Sequence, residues 1–323
     1  MRTLLKLAAS LVLVVLASAT VAAEVFPVTI KHAFGETTIA KSPERIVTWG
    51  LSSQDALIAL GKVPVGMPTF RSEGFDHDIL PWTAEGIAAL GGAEPFIFDN
   101  ATDVPIEQIA ALKPDLILAV HSGISAEDYG RLSQIAPVVA YPGEAWTTTW
   151  QDVITITGRA IGKPAEGEAL VADLKQFVLD QATARPEMAG KSFVTLIDYN
   201  NEIGIHSAAD TRASFLASAG MVIADKVDGA GEGELYWYPL SYELFDTIPA
   251  DILIGYFHTP ALADEFFSRP FVQAAPQVAG GAYVKMDDRA LNMAMISMSA
   301  LSLRWGVPRY FDKIAEAARH VGK

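Results

Sequence analysis

Ile106-Glu107-Gln108-Ile109-Ala110-Ala111-Leu112-Lys113-Pro114-Asp115-Leu116-Ile117-Leu118-Ala119 returns, loosely rewritten, as Tyr242-Glu243-Leu244-Phe245-Asp246-Thr247-Ile248-Pro249-Ala250-Asp251-Ile252-Leu253-Ile254-Gly255. Each copy reads as a short amphipathic helix, a turn carrying proline, an aspartate and an apolar strand. Strands this uniformly apolar suit the interior of a parallel sheet, buried on both faces, better than an open antiparallel edge. Two α/β halves of one kind are implied. A cleft between them, at the ends of their core strands, is the natural place for a ligand.

The same alternation extends in both directions from these copies. Residues 28–31 and 35–39 alternate as a hairpin does. Strands are then expected at 45–49, 63–67, 116–120 and 138–141, with a helix over 53–60 stopped by Gly61. The second half restarts with a strand at 192–199, continues at 251–257 and closes on a helix over 310–320. Between the halves, Pro164 suits a first helical turn, and Leu170, Leu174, Phe177 and Val178 fall on one face until Arg185-Pro186 ends the run. About 20 residues at 1.5 Å each make a strut of roughly 30 Å, the width of a small domain. The expected fold is therefore α/β: two Rossmann-like lobes with mainly parallel sheets joined by one long connecting helix. The expected division is a leader at 1–23, a first lobe at 24–163, the connecting helix at 164–186 and a second lobe at 187–323.

Residues 1–23 read as a secretory signal: Arg2 and Lys6, an apolar run from Leu7 to Thr20, then Val21-Ala22-Ala23 before a cut at Glu24. The apolar run is shorter than the roughly 20 residues a spanning helix needs, so no membrane insertion is expected. With no cysteine there is neither a lipid-attachment site nor a disulfide, and a periplasmic address is the simplest. Loss of Arg2 and Lys6 takes the formal charge from -14 to -16. So acidic a surface argues against nucleic acid or anionic membrane as partner, and an anionic ligand must meet local arginines.

Other motifs are set aside. Gly229-Ala230-Gly231-Glu232-Gly233 lacks the Lys-Ser/Thr ending of a phosphate loop, and Glu232 and Glu234 oppose phosphate. Met286, Met293, Met295 and Met298 suit core filling or an adaptable pocket lining more than a metal site. The six histidines stand apart, with no His-Glu-x-x-His, and no Gly-x-Ser-x-Gly elbow occurs.

The leader, the Pro-Asp-Leu-Ile-Leu motif, the twin lobes and the single connecting helix together resemble the helical-backbone class of periplasmic substrate-binding proteins. Within it the chain is similar to the iron–siderophore receptors of ABC importers, cousins of the haem- and cobalamin-binding receptors. The stretches that carry the resemblance are Arg45-Ile46-Val47 with Asp55-Ala56-Leu57-Ile58-Ala59-Leu60-Gly61, Leu112-Lys113-Pro114-Asp115-Leu116-Ile117, and Leu240-Ser241-Tyr242-Glu243-Leu244. The resemblance implies capture of a ferric siderophore in the interlobe cleft and delivery to an inner-membrane permease, by a monomer that performs no chemistry. It implies no cofactor and no metal ligand from the protein, because the chelator already satisfies the iron; haem, cobalamin or an enzyme acting on the chelate are the alternatives.

Carried over by position, the resemblance nominates Trp49, Arg71 and His121 from the first lobe, and Tyr199, Trp237, Tyr238 and Tyr256 from the second, as ligand contacts. Arg212 is a second cation, with Asp210 close at hand. Flat aromatics supply contact area to a bulky chelate, and arginine supplies charged hydrogen bonds. Ser125-Ala126-Glu127 and Ser241-Tyr242-Glu243 each read as a serine N-cap with glutamate in the first turn. The resemblance gives Glu127 and Glu243 a second role, docking into arginine pockets on the two permease subunits.

Overall fold

The computed structural model describes residues 26–71, 75, 77–98, 103–199, 202–231 and 236–322. The leader expected at 1–23 lies outside the described residues. Strand β1 (Val28–His32) and strand β2 (Gly35–Ile39) form the expected antiparallel hairpin. Thr37 ties it to the first lobe by donating its hydroxyl to the Val138 carbonyl at 2.6 Å.

The first lobe is a five-stranded, wholly parallel sheet. Strands β3 (Ile46–Thr48), β4 (Gly66–Pro68), β5 (Phe96–Phe98), β6 (Leu116–Ala119) and β7 (Val138–Ala140) run in the order β5-β4-β3-β6-β7. All residues of β3, β4, β6 and β7 are buried, as their unbroken apolar runs require. Strand β4 begins three residues later than the expected 63–67 segment, because Pro64 brings no N–H to a ladder. Helices α1 (Ser53–Ala59), α2 (Pro81–Leu90), α3 (Ile106–Ala111) and α4 (Ala126–Leu132) connect the strands, and α5 (Trp150–Ala160) leads from β7 towards the second lobe.

Helix α6 (Pro164–Thr183) is the connector, opened by Pro164 at its first turn and followed by a short 3-10 turn, Pro186–Met188. Its inner stripe is Gly167, Val171, Leu174 and Val178, with Leu170 and Phe177 half-buried beside it. Gly167 faces Gly158 of α5 so closely that a methyl group on Gly158 would stand 3.2 Å from the Gly167 Cα. The two helices therefore pack backbone to backbone.

The second lobe holds β8 (Ser192–Tyr199), β9 (Glu202–His206), α7 (Thr211–Ser218), β10 (Val222–Ile223), β11 (Trp237–Leu240) and a 3-10 helix, Tyr242–Thr247. It continues through β12 (Ile252–Tyr256), α8 (Pro260–Ser268), α9 (Pro270–Ala274), α10 (Pro276–Gly280), β13 (Tyr283–Met286), α11 (Arg289–Ile296) and α12 (Ser302–Ala318). The sheet order is β11-β9-β8-β12-β13, with β10 beside β8. Strands β10, β8, β12 and β13 are parallel, whereas β9 runs antiparallel to both of its neighbours, β8 and β11.

The repeated motif does the same job in both lobes. Asp115, just ahead of β6, accepts the backbone N–H groups of Glu44 and Arg45 at 2.8 Å each, at the mouth of β3. Asp251, just ahead of β12, accepts the N–H of Ser192 at 2.8 Å, at the mouth of β8. In each case the aspartate staples its own strand to its parallel neighbour by satisfying N–H groups that the ladder leaves open. The two copies differ in winding. The second helix is 3-10, and Ser241 makes no side-chain cap there, contrary to the N-cap expectation. In a 3-10 turn the Leu244 N–H, the donor that an α-helical N-cap hydroxyl would take, already reaches the Ser241 carbonyl at 3.1 Å.

The lobes share more than the connector. One continuous hydrophobic core runs from Ile46, Leu57 and Leu118 to Phe193, Ile254, Leu303 and Tyr310. The segment between α11 and α12 reaches back to the first lobe. There the Ser299 hydroxyl donates to the buried Asp55 carboxylate at 2.5 Å, beside donors from Trp82 Nε1 at 2.7 Å and Thr83 Oγ1 at 2.6 Å. The Trp82 and Trp305 rings meet at 5.3 Å.

Candidate ligand-binding site

In a parallel sheet every strand delivers its following loop to the same edge, so the C-terminal ends of the strands collect side chains from distant sequence positions. In the second lobe the ends of β8 and β12 and the start of α11 enclose a cavity of about 520 Å³, and Phe75 closes it from the first lobe. That volume lies within the range of small-molecule sites. Its floor is apolar and aromatic: Ile197, Tyr256, Phe257, Met293 and Ile296. Its polar groups are Arg212, His258, Arg289 and Asn292.

Arg212 is fixed before any ligand arrives. Asp210 is the N-cap of α7, and its carboxylate accepts the Arg212 backbone N–H at 2.8 Å, Nε at 2.9 Å and Nη2 at 2.7 Å. The guanidinium carbon stands 5.2 Å from the centre of the Tyr256 ring. Burial pushes the Asp210 carboxyl up, but the Arg212 hydrogen bonds and charge outweigh it and hold the group below its ordinary value. Nη1 of Arg212 keeps its hydrogens for another acceptor.

A buried network supports this corner. The Tyr256 hydroxyl pairs with that of Tyr310 at 2.7 Å, and burial pushes the Tyr256 phenol up to about 12. His206 lies edge-on to Tyr256 and pairs through Nδ1 with Thr195 Oγ1 at 3.1 Å. Burial first, and the neighbouring Arg212 charge second, hold its imidazole down to about 4. His206 is therefore neutral at pH 7, and its ring props Tyr256 without adding charge.

Arg289 opens α11 behind the Asp288 N-cap, whose carboxylate accepts the Leu291 N–H at 2.9 Å. Its guanidinium lies 5.9 Å from the Phe75 ring centre and makes no ion pair with a described residue. Asn292 donates both amide hydrogens, to the Phe257 and Met286 carbonyls at 2.8 and 2.9 Å, which locks α11 to the ends of β12 and β13.

Of the contacts nominated from sequence, Arg212 and Tyr256 meet in this cavity. Trp49 instead belongs to the first lobe's interior, 6 % exposed with its ring 6.2 Å from that of Phe98. Arg71 lies on the surface and pairs with Asp78 at 2.6 Å. His121 lies two residues beyond the end of β6, partly buried and 6.0 Å from the Trp146 ring, and burial lowers its pKa. Tyr199 is exposed at the end of β8. Trp237 and Tyr238 lie half-buried on the edge strand β11, Trp237 against Gly204 and Tyr238 beneath the Lys226 ammonium at 5.4 Å. None of these six is among the residues of the cavity lining.

Phe75, Arg289 and Asn292 were not singled out from the sequence. The signal for the last two was the Asp287-Asp288-Arg289 step from a buried strand into an amphipathic helix, where a capping aspartate fixes the next side chains at a strand end. Glu127 and Glu243 stand exposed, one on each lobe. Glu127 sits in a helix capped as expected, with Ser125 Oγ accepting the Asp128 N–H at 3.0 Å. Among the described residues no three His, Asp or Glu side chains converge as a metal site, and no helix is long and apolar enough to cross a membrane.

Two α/β lobes that share a core, with a preformed cavity at their strand ends, define a solute-binding architecture. The chain belongs to the periplasmic binding protein family, whose pattern matches residues 46–290. It is 27 % identical over 263 residues to the Fe(3+) dicitrate-binding periplasmic protein FecB of Escherichia coli (strain K12), covering 77 % of this chain and 78 % of that protein. It is 25 % identical over 252 residues to the Fe(3+)-citrate-binding protein YfmC of Bacillus subtilis (strain 168), covering 76 % and 74 %. Among solved structures, PiaA of Streptococcus pneumoniae TIGR4 in complex with ferrichrome superposes with a TM-score of 0.77 at 30 % identity, covering 91 % of this chain and 99 % of that one.

Proposed function

We propose that this protein captures a ferric siderophore in the cavity between its lobes and hands it to an ABC importer for iron uptake. The observation that carries the reading is the preformed cavity at the strand ends, where a guanidinium locked by Asp210 and Tyr256 faces an aromatic floor. Family membership and relatives named for ferric citrate and ferrichrome support it.

The chelator holds the iron and the protein holds the chelator. Tyr256, Phe257 and Phe75 supply flat contact area, and Arg212 supplies a charge-assisted donor whose entropy of positioning is already spent. No bond in the ligand is broken, and the protein acts as a carrier without a cofactor. Residues 24–163 and 187–323 act as the two lobes on either side of the connecting segment 164–186. Because they share one core, ligand binding closes them only slightly. Export by the segment at 1–23 places a monomer in the periplasm, where Glu127 and Glu243 present one acid per lobe to the permease.

Calorimetric titration of the purified mature chain with ferric siderophores, iron-free siderophores, haem and cobalamin tests the assignment. Saturable one-to-one binding of a ferric siderophore is expected. Binding of haem or cobalamin with no ferric siderophore bound would replace this reading with a receptor for a different ligand.

A further inference from the structure

The charge of the cavity runs against that of the chain. The sequence carries a formal net charge of -14, yet the described lining residues include two arginines and no aspartate or glutamate. For a negatively charged ligand the protein as a whole is repulsive, so a site for it must concentrate positive charge locally. For a neutral or cationic ligand such a lining is a liability, since the Arg289 guanidinium, unlike Arg212 with its Asp210 partner, loses hydration without gaining an anion.

The donors left over are specific. Asp210 occupies Nε and Nη2 of Arg212, leaving Nη1, and the Tyr256 ring together with the bidentate contact fixes where Nη1 lies. Arg289 has its whole fork available, resting on Phe75 and making no ion pair or hydrogen bond with a described residue. Elsewhere on the surface the arginines are mostly engaged: Arg269 with Asp198 and Glu265, Arg319 with Glu187 and Glu316, Arg304 with Asp173. Arg289 stands apart from these at the cavity wall. Planar forks of this kind also donate to neutral carbonyls, as Arg45 does to the Leu112 carbonyl, but pair more strongly with the charged oxygens of carboxylates and phenolates.

Resting on the carrier reading above, we infer that the cargo is an anionic ferric chelate whose carboxylate or phenolate oxygens bridge Arg212 Nη1 and the Arg289 fork, with its body on Tyr256 and Phe257. Arg212 is the positioning contact, held rigid by its own aspartate. Arg289 supplies the uncompensated charge and sets the preference for anions.

The test uses the full mature chain and four probes at low and high salt: ferric citrate, a ferric tris-catecholate, ferrichrome as a neutral trihydroxamate and ferrioxamine as a cationic one. Arg289→Gln and Arg289→Glu are measured beside wild type, since Arg289 is exposed at a helix start and its loss leaves no buried partner unpaired. The expected result is binding of ferric citrate or the catecholate that weakens with salt, weakens about tenfold in Arg289→Gln and weakens further in Arg289→Glu. Whichever of those two probes binds identifies the oxygen type. Preferential binding of ferrichrome or ferrioxamine, or anionic binding indifferent to Arg289, overturns the inference while leaving the carrier reading intact. Failure of every ferric chelate to bind overturns the carrier reading itself.

Discussion

Ser299 and Asp55 lie 244 positions apart, in different lobes, and share a hydrogen bond of 2.5 Å in the buried seam between them. Asp55 is fully enclosed. Burial pushes its carboxyl up, opposed by the hydrogen bonds of Ser299, Thr83 and Trp82. Three donors converge on this one side chain, so its removal leaves three buried donors without an acceptor.

Asp55→Ala is therefore expected to cost about 3 kcal/mol, more than an ordinary buried polar truncation, because the orphaned donors come from both lobes. Urea denaturation of wild type and variant checks this. A loss of less than about 1 kcal/mol would mean that the seam is held by the apolar core alone.

His206 sets a pH window. Its folded pKa is depressed to about 4 from an ordinary 6.5, so between these values the unfolded chain binds the proton and the folded one does not. Stability is fully present above about 6.5 and falls as the pH drops towards 4, by about 3 kcal/mol from this group. His32 and His121 are lowered by burial as well and act in the same direction, so the comparison is with a His206→Gln variant. The variant is expected to lose less stability across the window, as followed by denaturant midpoints. Parallel pH curves would remove His206 from the account.

The two repeat aspartates predict an asymmetry. Asp115 uses both carboxylate oxygens, on Glu44 and Arg45, whereas Asp251 uses one, on Ser192. Asparagine keeps a single acceptor oxygen. Asp115→Asn should accordingly cost about 1 kcal/mol and Asp251→Asn only a few tenths, as read from thermal melting. Equal costs would contradict this asymmetry.

The docking role proposed for Glu127 and Glu243 would separate binding from delivery. The double replacement by alanine is expected to leave chelate affinity unchanged and to abolish chelate-dependent iron uptake by cells. Both glutamates are exposed and lie outside the cavity lining. Uptake at the wild-type rate would remove them from the permease contact.

The parts of the fold that the sequence disclosed are those written in local chemistry. The two proline-bearing turns with their aspartates, the proline opening α6, the Gly61 stop and the Ser125 cap all act within a few residues of themselves. Ser241 misled because whether a segment winds as α or 3-10 depends on the packing around it. Trp49 and Tyr256 both end or follow apolar strands, and the pattern alone did not tell that Trp49 turns into a core beside Phe98 while Tyr256 reaches the cavity. The cavity itself joins Phe75 to Arg212 and Arg289, and the seam joins Asp55 to Ser299. Such pairings arise from sheet order and lobe docking, to which no local periodicity refers.

The central claim concerns where the iron rests. Crystals of the protein grown with the ferric chelate that binds it, measured at the iron absorption edge, should show one anomalous peak inside the cavity bounded by Phe75, Tyr256, Arg212 and Arg289. A peak on the outer surface, or on the first lobe alone away from these four side chains, would contradict the account.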